Sequence, residues 1–200
     1  MPAVSQNDTR QPTDKIKMKT SKTKNIQKGL AYKLAHEQIN AAINSRPPFP
    51  IEAIAIEESI LSDRLYSALV ARRPIRAEKI QSNNRKPAEF GTILGEIVEI
   101  PSFNASSRIF TTRPEFDDLN AALSEKGGVK SLFDWKEARN KFVHGLARSL
   151  HPKETTQIGS DVYYEKGLAV AREGLELVRI VETWSQKCVR AAMRATKKKS

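Results

Sequence analysis

Cysteine is nearly absent. Cys188 stands alone among 200 residues, which excludes an internal disulfide framework and a cysteine-based zinc site and makes a reducing, cytoplasmic setting the expectation. No apolar run reaches the roughly 18 residues of a membrane span. The basic N-terminus is not followed by an apolar stretch, so it is not read as a secretory signal; its Ser and Thr content suits a transit peptide better, but Asp8 and Asp14 weaken that reading. There is no glycine-rich phosphate loop, no paired carboxylates suited to magnesium and no cluster of Asp, Glu and His at metal-ligand spacing. Neither a metal nor a cofactor is therefore expected, and nucleotidyl transfer to small molecules ranks low. Internal repeats and alternating strand patterns are missing too.

What is present is charge of one sign, unevenly placed. The formal net charge is +11. Met1 to Lys28 holds seven Lys/Arg against two Asp, and Lys187 to Ser200 holds six Lys/Arg and no acid, so the stretch between is neutral. Cationic tails favour polyanions, because each phosphate they neutralise releases counterions. Lys197, Lys198 and Lys199 are the nucleic-acid-binding candidates. The competing reading is that the tails only confer solubility.

A hydrophobic fraction of 39% with 28% charged residues suits one domain with a buried core. Residues 1–27 lack apolar periodicity and are read as a disordered basic tail. A helix is expected from Lys28 to Asn44, with Leu30, Leu34, Ala35 and Ala42 on a weak inner face, stopped by "RPPFP". "IEAIAIEESILSDRLYSALVARR" then carries the strongest helical signal: Ile51, Ile54, Leu61, Leu65 and Leu69 draw one stripe, and Pro74 ends it. Glu58 interrupts that stripe. Either the register slips or Glu58 snorkels at an edge, or else it faces a cation inside the bundle.

Residues 75–114 read as an irregular insert, a specificity element or a regulatory flap. "FGTILGEIVEI" fits a short helix or a strand, and "PSFNASSRIFTTRP" is loop-like. A short helix from Glu115 to Ser124 should end at "KGG". The next should start near Ser131 and stop before Pro152, burying Trp135, Ala138, Phe142 and Leu146. The last should run from Val162 to about Met193 on Ala171, Leu175, Val178, Val181, Trp184 and Cys188, leaving 194–200 as a basic tail. The economical fold is all-α: an up-and-down antiparallel helical bundle over residues 28–193, with disordered basic N- and C-terminal tails.

The helix from Ser131 also carries "ARNKFVHGLAR". Asn140 and His144 stack four residues apart, His151 lies seven beyond His144, and Arg148 falls between them. Arg139 sits to one side, nearer the buried stripe. An imidazole, a guanidinium and an amide in one groove suit a phosphate: Arg offers a planar fork, His exchanges a proton near neutral pH, and Asn supplies donors.

"RNKFVH" resembles the R-x4-6-H signature of the HEPN superfamily, whose residue after the Arg is polar and often Asn. The resemblance implies an antiparallel helical bundle in which the motif helix precedes a long last helix. It further implies a metal-independent endoribonuclease, often a toxin or defence effector, acting as a homodimer that pairs two motifs in a composite cleft. By position, His144 would assist proton transfer, Arg139 would stabilise charge developing on the phosphorus, and Asn140 would position the phosphate. Glu58 is the candidate acidic partner of Arg139, with Arg148 supporting. The implied products are a 2′,3′-cyclic phosphate and a 5′-hydroxyl, and an antitoxin is an implied partner.

Competing structural readings accompany these residues. His144 could pack or cap, although Arg-Asn before it and Arg148 after it favour chemistry. His151, before Pro152, better complements a helix dipole. Trp135 and Trp184 read as core, Cys188 as a small core residue, and Arg72, Arg73 and Arg76 as a solvated basic knot. A catalytically silent nucleic-acid- or protein-binding module remains the alternative to an RNase.

Overall fold

Proline and glycine punctuate the chain where its helices start and stop. In the computed structural model residues 12–83, 89–99, 110–149 and 160–197 are described, with backbone alone for 12–26, 82–83, 146–149 and 197. Pro50 occupies the first turn of α2 (Pro50–Arg72), and Pro74 opens α3 (Pro74–Asn83), where a missing N–H leaves no bond unmade. Gly127 and Gly128, at φ of 88° and 75°, turn the chain after α5 (Asp117–Ala122) and into α6 (Lys130–Ser149). That turn is pinned by Val129 N–H donating to Asn120 Oδ1 at 2.9 Å and Ser131 Oγ donating to Gly128 O at 2.7 Å.

The first helix, α1 (Pro12–Asn44), begins sixteen residues before the expected Lys28, because no proline or glycine interrupts the chain between Pro12 and Gly29. Up to Gln38 it forms a compact unit of its own. Leu30 and Leu34, expected on an inner face, are 56% and 50% exposed; from Ile39 onward the chain belongs to the main unit, where Ile39, Ala42 and Ile43 are buried.

The fold is all-α. Among the described residues the one extended pairing is β1 (Val98–Glu99) against β2 (Thr111–Thr112), antiparallel, with Val98 opposite Thr112. "FGTILGEIVEI" turns out to be both readings in succession: α4 (Phe90–Ile97), then β1. Phe90, Ile93, Leu94 and Ile97 are all buried, so this part of 75–114 belongs to the core and is not an irregular insert. Burying each such side chain contributes about 1.5–3 kcal/mol, enough to hold a two-turn helix that would not stand alone.

The core is organised by α2, α6 and α7 (Asp161–Lys197). Paired levels along α2 and α7 rise together: Pro50 with Gly167, Glu57 with Gly174, Arg64 with Glu182 and Ser185. Those two helices therefore run parallel. Levels on α6 run the other way, Trp135 meeting Val170 and Gly174 while Phe142 meets Gly167, so direction alternates along the chain from α2 to α6 to α7. On α7, Gly167, Ala171 and Gly174 form one buried seam of small residues. A Cβ on Gly167 would lie 2.7 Å from Pro50 and 2.5 Å from the Phe142 ring; one on Gly174 would strike the Glu57 carboxyl and lie 2.7 Å from Trp135 Nε1. The rest of the inner face of α7 (Leu175, Val178, Val181, Trp184 and Cys188) is buried as expected. On α2 the buried set is Pro50, Ala53, Ile54, Glu57, Ile60, Leu61, Leu65, Ala68 and Leu69, while Ile51, expected in the stripe, is 42% exposed. No helix among the described residues is long and apolar enough to cross a membrane.

The seam makes a direct prediction. Gly167→Ala should lose ~1–3 kcal/mol through overpacking, despite the ~1 kcal/mol that Ala gains over Gly in a helix. Gly95→Ala, at an exposed position of α4 with nothing within 4 Å of the new methyl, should gain up to about 1 kcal/mol. Urea unfolding of both variants measures this, and equal stabilisation by both would mean the seam has room.

Candidate active site on α6

Trp135 anchors α6 and thereby fixes where the rest of the helix points. Its indole N–H donates to Val170 O at 3.0 Å, and Phe90 meets it edge-on with ring centroids 5.8 Å apart. Gly174 gives the indole its room. One turn further, Arg139 occupies the same side of α6 and reaches α2, where its Nη2 donates to Glu58 Oε1. The ion pair is partly solvated, with 19% of the Arg139 and 31% of the Glu58 side chain exposed, so it orients the guanidinium more than it stabilises the fold. Arg139 Nε is buried without a hydrogen-bond partner.

Asn140 is half-buried and His144, one turn on, is exposed. Phe142 faces inward between them, stacked on Tyr163 at 5.2 Å, and holds this turn of α6 against α7. Burial raises the Tyr163 hydroxyl above its ordinary range. The local arrangement thus sets an oriented guanidinium, an amide and an imidazole along one helix. Arg148 lies in α6, but its side chain is not described; Leu146 likewise; His151, Lys198 and Lys199 lie outside the described residues, and Lys197 is the last residue of α7. Among the described residues no group of three His, Cys, Asp or Glu could hold a metal ion.

The stripe's misplaced carboxylate turns out to be two carboxylates in two environments. Glu58 is the edge residue that meets the cation. Glu57, one position earlier, is the residue inside the core: it is fully buried against Gly174 and Trp135, and neither carboxyl oxygen has a hydrogen-bond partner. Burial pushes its pKa up to about 9, so it stays protonated at neutral pH. Sequence periodicity missed it because Glu57 and Glu58 both fall between Ile54 and Leu61; the signal available was Gly167 and Gly174, seven apart on the last helix, marking where α2 comes closest.

Two cations of the basic knot after α2 are a correction, while the third, Arg76, is exposed as expected. Arg72 and Arg73 are half-buried and internally engaged, not a solvated helix end. Arg72 bonds Asp118 bidentately at 2.6 Å, donates to Glu115 O, and lies over the Phe116 and Trp184 rings at 5.7 and 5.4 Å. Those hydrogen bonds hold the Asp118 carboxyl below its usual range, outweighing the opposing effect of burial. Beside it, burial raises the Cys188 thiol, which stays an unreactive core group. Arg73 donates to Glu96 O at 3.3 Å and Arg113 Nε to the same oxygen at 3.0 Å. Thus α4 and α5 are tied to the end of α2, and Arg113 ties the segment after β2 to α4.

No family model, no curated protein and no solved structure matches this chain.

Glu57 carries a pH prediction. In the unfolded chain its carboxyl ionises near 4.5, while in the folded protein it keeps its proton to about 9. Between those values the unfolded chain holds fewer protons, so stability falls as pH rises from about 4.5 to 9 and then levels off. Glu57→Met, which fills the same volume with no polar atom, should stabilise the protein at pH 7 by ~1–3 kcal/mol and flatten that decline. Unfolding midpoints measured from pH 5 to pH 9 test it; a parallel decline in both proteins would assign the pH dependence elsewhere.

Proposed function

We propose that this protein is an all-helical RNA-processing enzyme whose working surface is the turn of α6 from Arg139 to His144. The particular reading is a metal-independent endoribonuclease of HEPN type, a toxin or defence effector acting in the cytoplasm. The observation that carries it is the Arg139–Glu58 pair: the arginine of "RNKFVH" meets a carboxylate from another helix, as the resemblance implies. Half-buried Asn140 and exposed His144 follow on the same helix.

In this reading the RNA 2′-hydroxyl attacks the adjacent phosphorus and the bond to the 5′-oxygen breaks. The 2′-hydroxyl proton leaves to a base and the 5′-oxygen takes one up, giving a 2′,3′-cyclic phosphate and a 5′-hydroxyl. His144 serves one of these transfers, and the His144 of a second copy serves the other, which is the chemical reason for a homodimer with a composite site. Arg139, held by Glu58, faces the charge developing on phosphorus, and Asn140 positions the phosphate. The resemblance also implies an inhibitory partner protein, an antitoxin.

The test is cleavage of end-labelled RNA by purified protein in excess EDTA, scoring product ends. His144→Ala and Arg139→Ala should each lower the rate ~100-fold or more with the fold intact, as judged by thermal unfolding. A substrate with a 2′-deoxy residue at the cut site should resist. Equal activity in wild type and His144→Ala, or none in either, would replace the enzyme with a non-catalytic binding module.

A further inference from the structure

Helix α7 is 37 residues long, about 55 Å, and its solvent face changes character halfway. Before Arg179 that face is mixed, with Glu165, Lys166, Arg172, Glu173 and Glu176, the last paired with Lys126. From Arg179 to the end of α7 the one acidic residue is Glu182, which turns inward to Arg64. Arg179, Thr183, Lys187, Arg190 and Arg194 are all exposed. At ~100° per residue they fall within about 80° of one another, directly opposite buried Val181, Ser185 and Cys188. Among the described residues, no ion pair involves Arg179, Lys187, Arg190 or Arg194. A groove of about 570 Å³ lies beside the first part of this row, lined by Arg179, Thr183 and Lys187 together with Ile180, Trp184 and Asp118. Asp118 adds little opposing charge there, since Arg72 holds it bidentately.

We propose that this half of α7 is a docking face for single-stranded RNA, separate from the chemistry on α6. The proposal rests on the RNA reading above and names where the substrate strand is held. Cations recur at short intervals along the row, a repeat that suits a strand bearing one phosphate per nucleotide; charge on this scale supplies affinity without sequence preference. A membrane surface fits less well, because an interfacial helix needs large apolar residues at the rim of its basic face, and here the rim offers only Met193 as an exposed large apolar side chain. The face also lies away from the motif. Phe142 meets α7 at Gly167, and Arg179 is twelve residues beyond, ~18 Å along the axis. Binding and cleavage are therefore separable by substitution.

The experiment measures binding of a fluorescein-labelled 20-nucleotide poly-U RNA to the full chain by anisotropy, from 50 to 300 mM salt. R179Q/K187Q/R190Q should weaken binding at least ~10-fold at 100 mM salt and reduce the slope of log affinity against log salt by about 2, at roughly 0.7 per phosphate contact for single strands. His144→Ala should bind as wild type does. Circular dichroism confirms that the triple variant folds, and a double variant, R179Q/K187Q, serves if it does not. RNA affinity and salt slope unchanged in a folded variant overturn the proposal; so does loss confined to an acidic probe such as poly-glutamate, which would make the face a protein-binding one. If no variant or wild type ever cleaves RNA while the triple variant still loses affinity, the nuclease reading fails and the docking face stands.

Discussion

The close approach of α2 and α7 is the constraint on which the rest of this structure depends. Two parallel helices come together along a seam where α7 presents Gly167, Ala171 and Gly174, and the missing side chains are replaced by Pro50, Phe142, Trp135 and Glu57 from its neighbours. Interiors pack densely enough that a single methyl group is felt. Had α7 carried larger residues there, α6 could not have seated Trp135 against it, and the turn bearing Arg139 would have lost its anchor.

That approach also divides two adjacent carboxyl groups. One residue along a helix is a rotation of ~100°, enough to take Glu57 into the core and leave Glu58 at its edge. Glu58 keeps water and finds a guanidinium. Glu57 has neither, and keeps its proton instead. A protonated carboxylic acid with both oxygens unpartnered is a liability in a bundle, and its position beside the helix that carries the motif makes it the least expected feature of the core. Its neutrality has a local consequence: it leaves Glu58 as the carboxylate that meets the nearby Arg139.

At the other end of α2, charge serves architecture. Arg72 sits between two aromatic faces and a carboxylate, and with Arg73 and Arg113 it fastens α4, the β1–β2 pair and α5 to the bundle. Cations here are consumed internally, whereas among the described residues Arg179, Lys187, Arg190 and Arg194 on the second half of α7 enter no ion pair. Arginine content alone therefore says little about polyanion binding; the distinction is whether an acid or a carbonyl stands opposite.

Much of the architecture was legible from local chemistry. Helix limits at Asn44, Pro50 and Pro74 follow from prolines, which admit few backbone conformations, the turn before α6 follows from the tolerance of Gly127 and Gly128 for positive φ, and the inner face of α7 follows from apolar residues recurring at helical spacing. The pairing of Arg139 with Glu58 was reachable too, since a carboxylate beside an apolar stripe needs a cation. Three things were not. Periodicity over a few residues cannot separate position 57 from 58, because both lie within the arc that a neighbouring helix covers. The role of Arg72 depends on Asp118 and Trp184, 46 and 112 positions away, which local pattern does not connect. The coreward turn of 90–97 depended on a hydrophobic surface of α2 being left open to receive it. Sequence by itself determined where α2, α6 and α7 form and which face of α7 is apolar, because those follow from each residue's own conformational and solvation preferences. Only the tertiary structure decided which charged groups lose water and which keep it, because that is set by what another segment brings within contact distance.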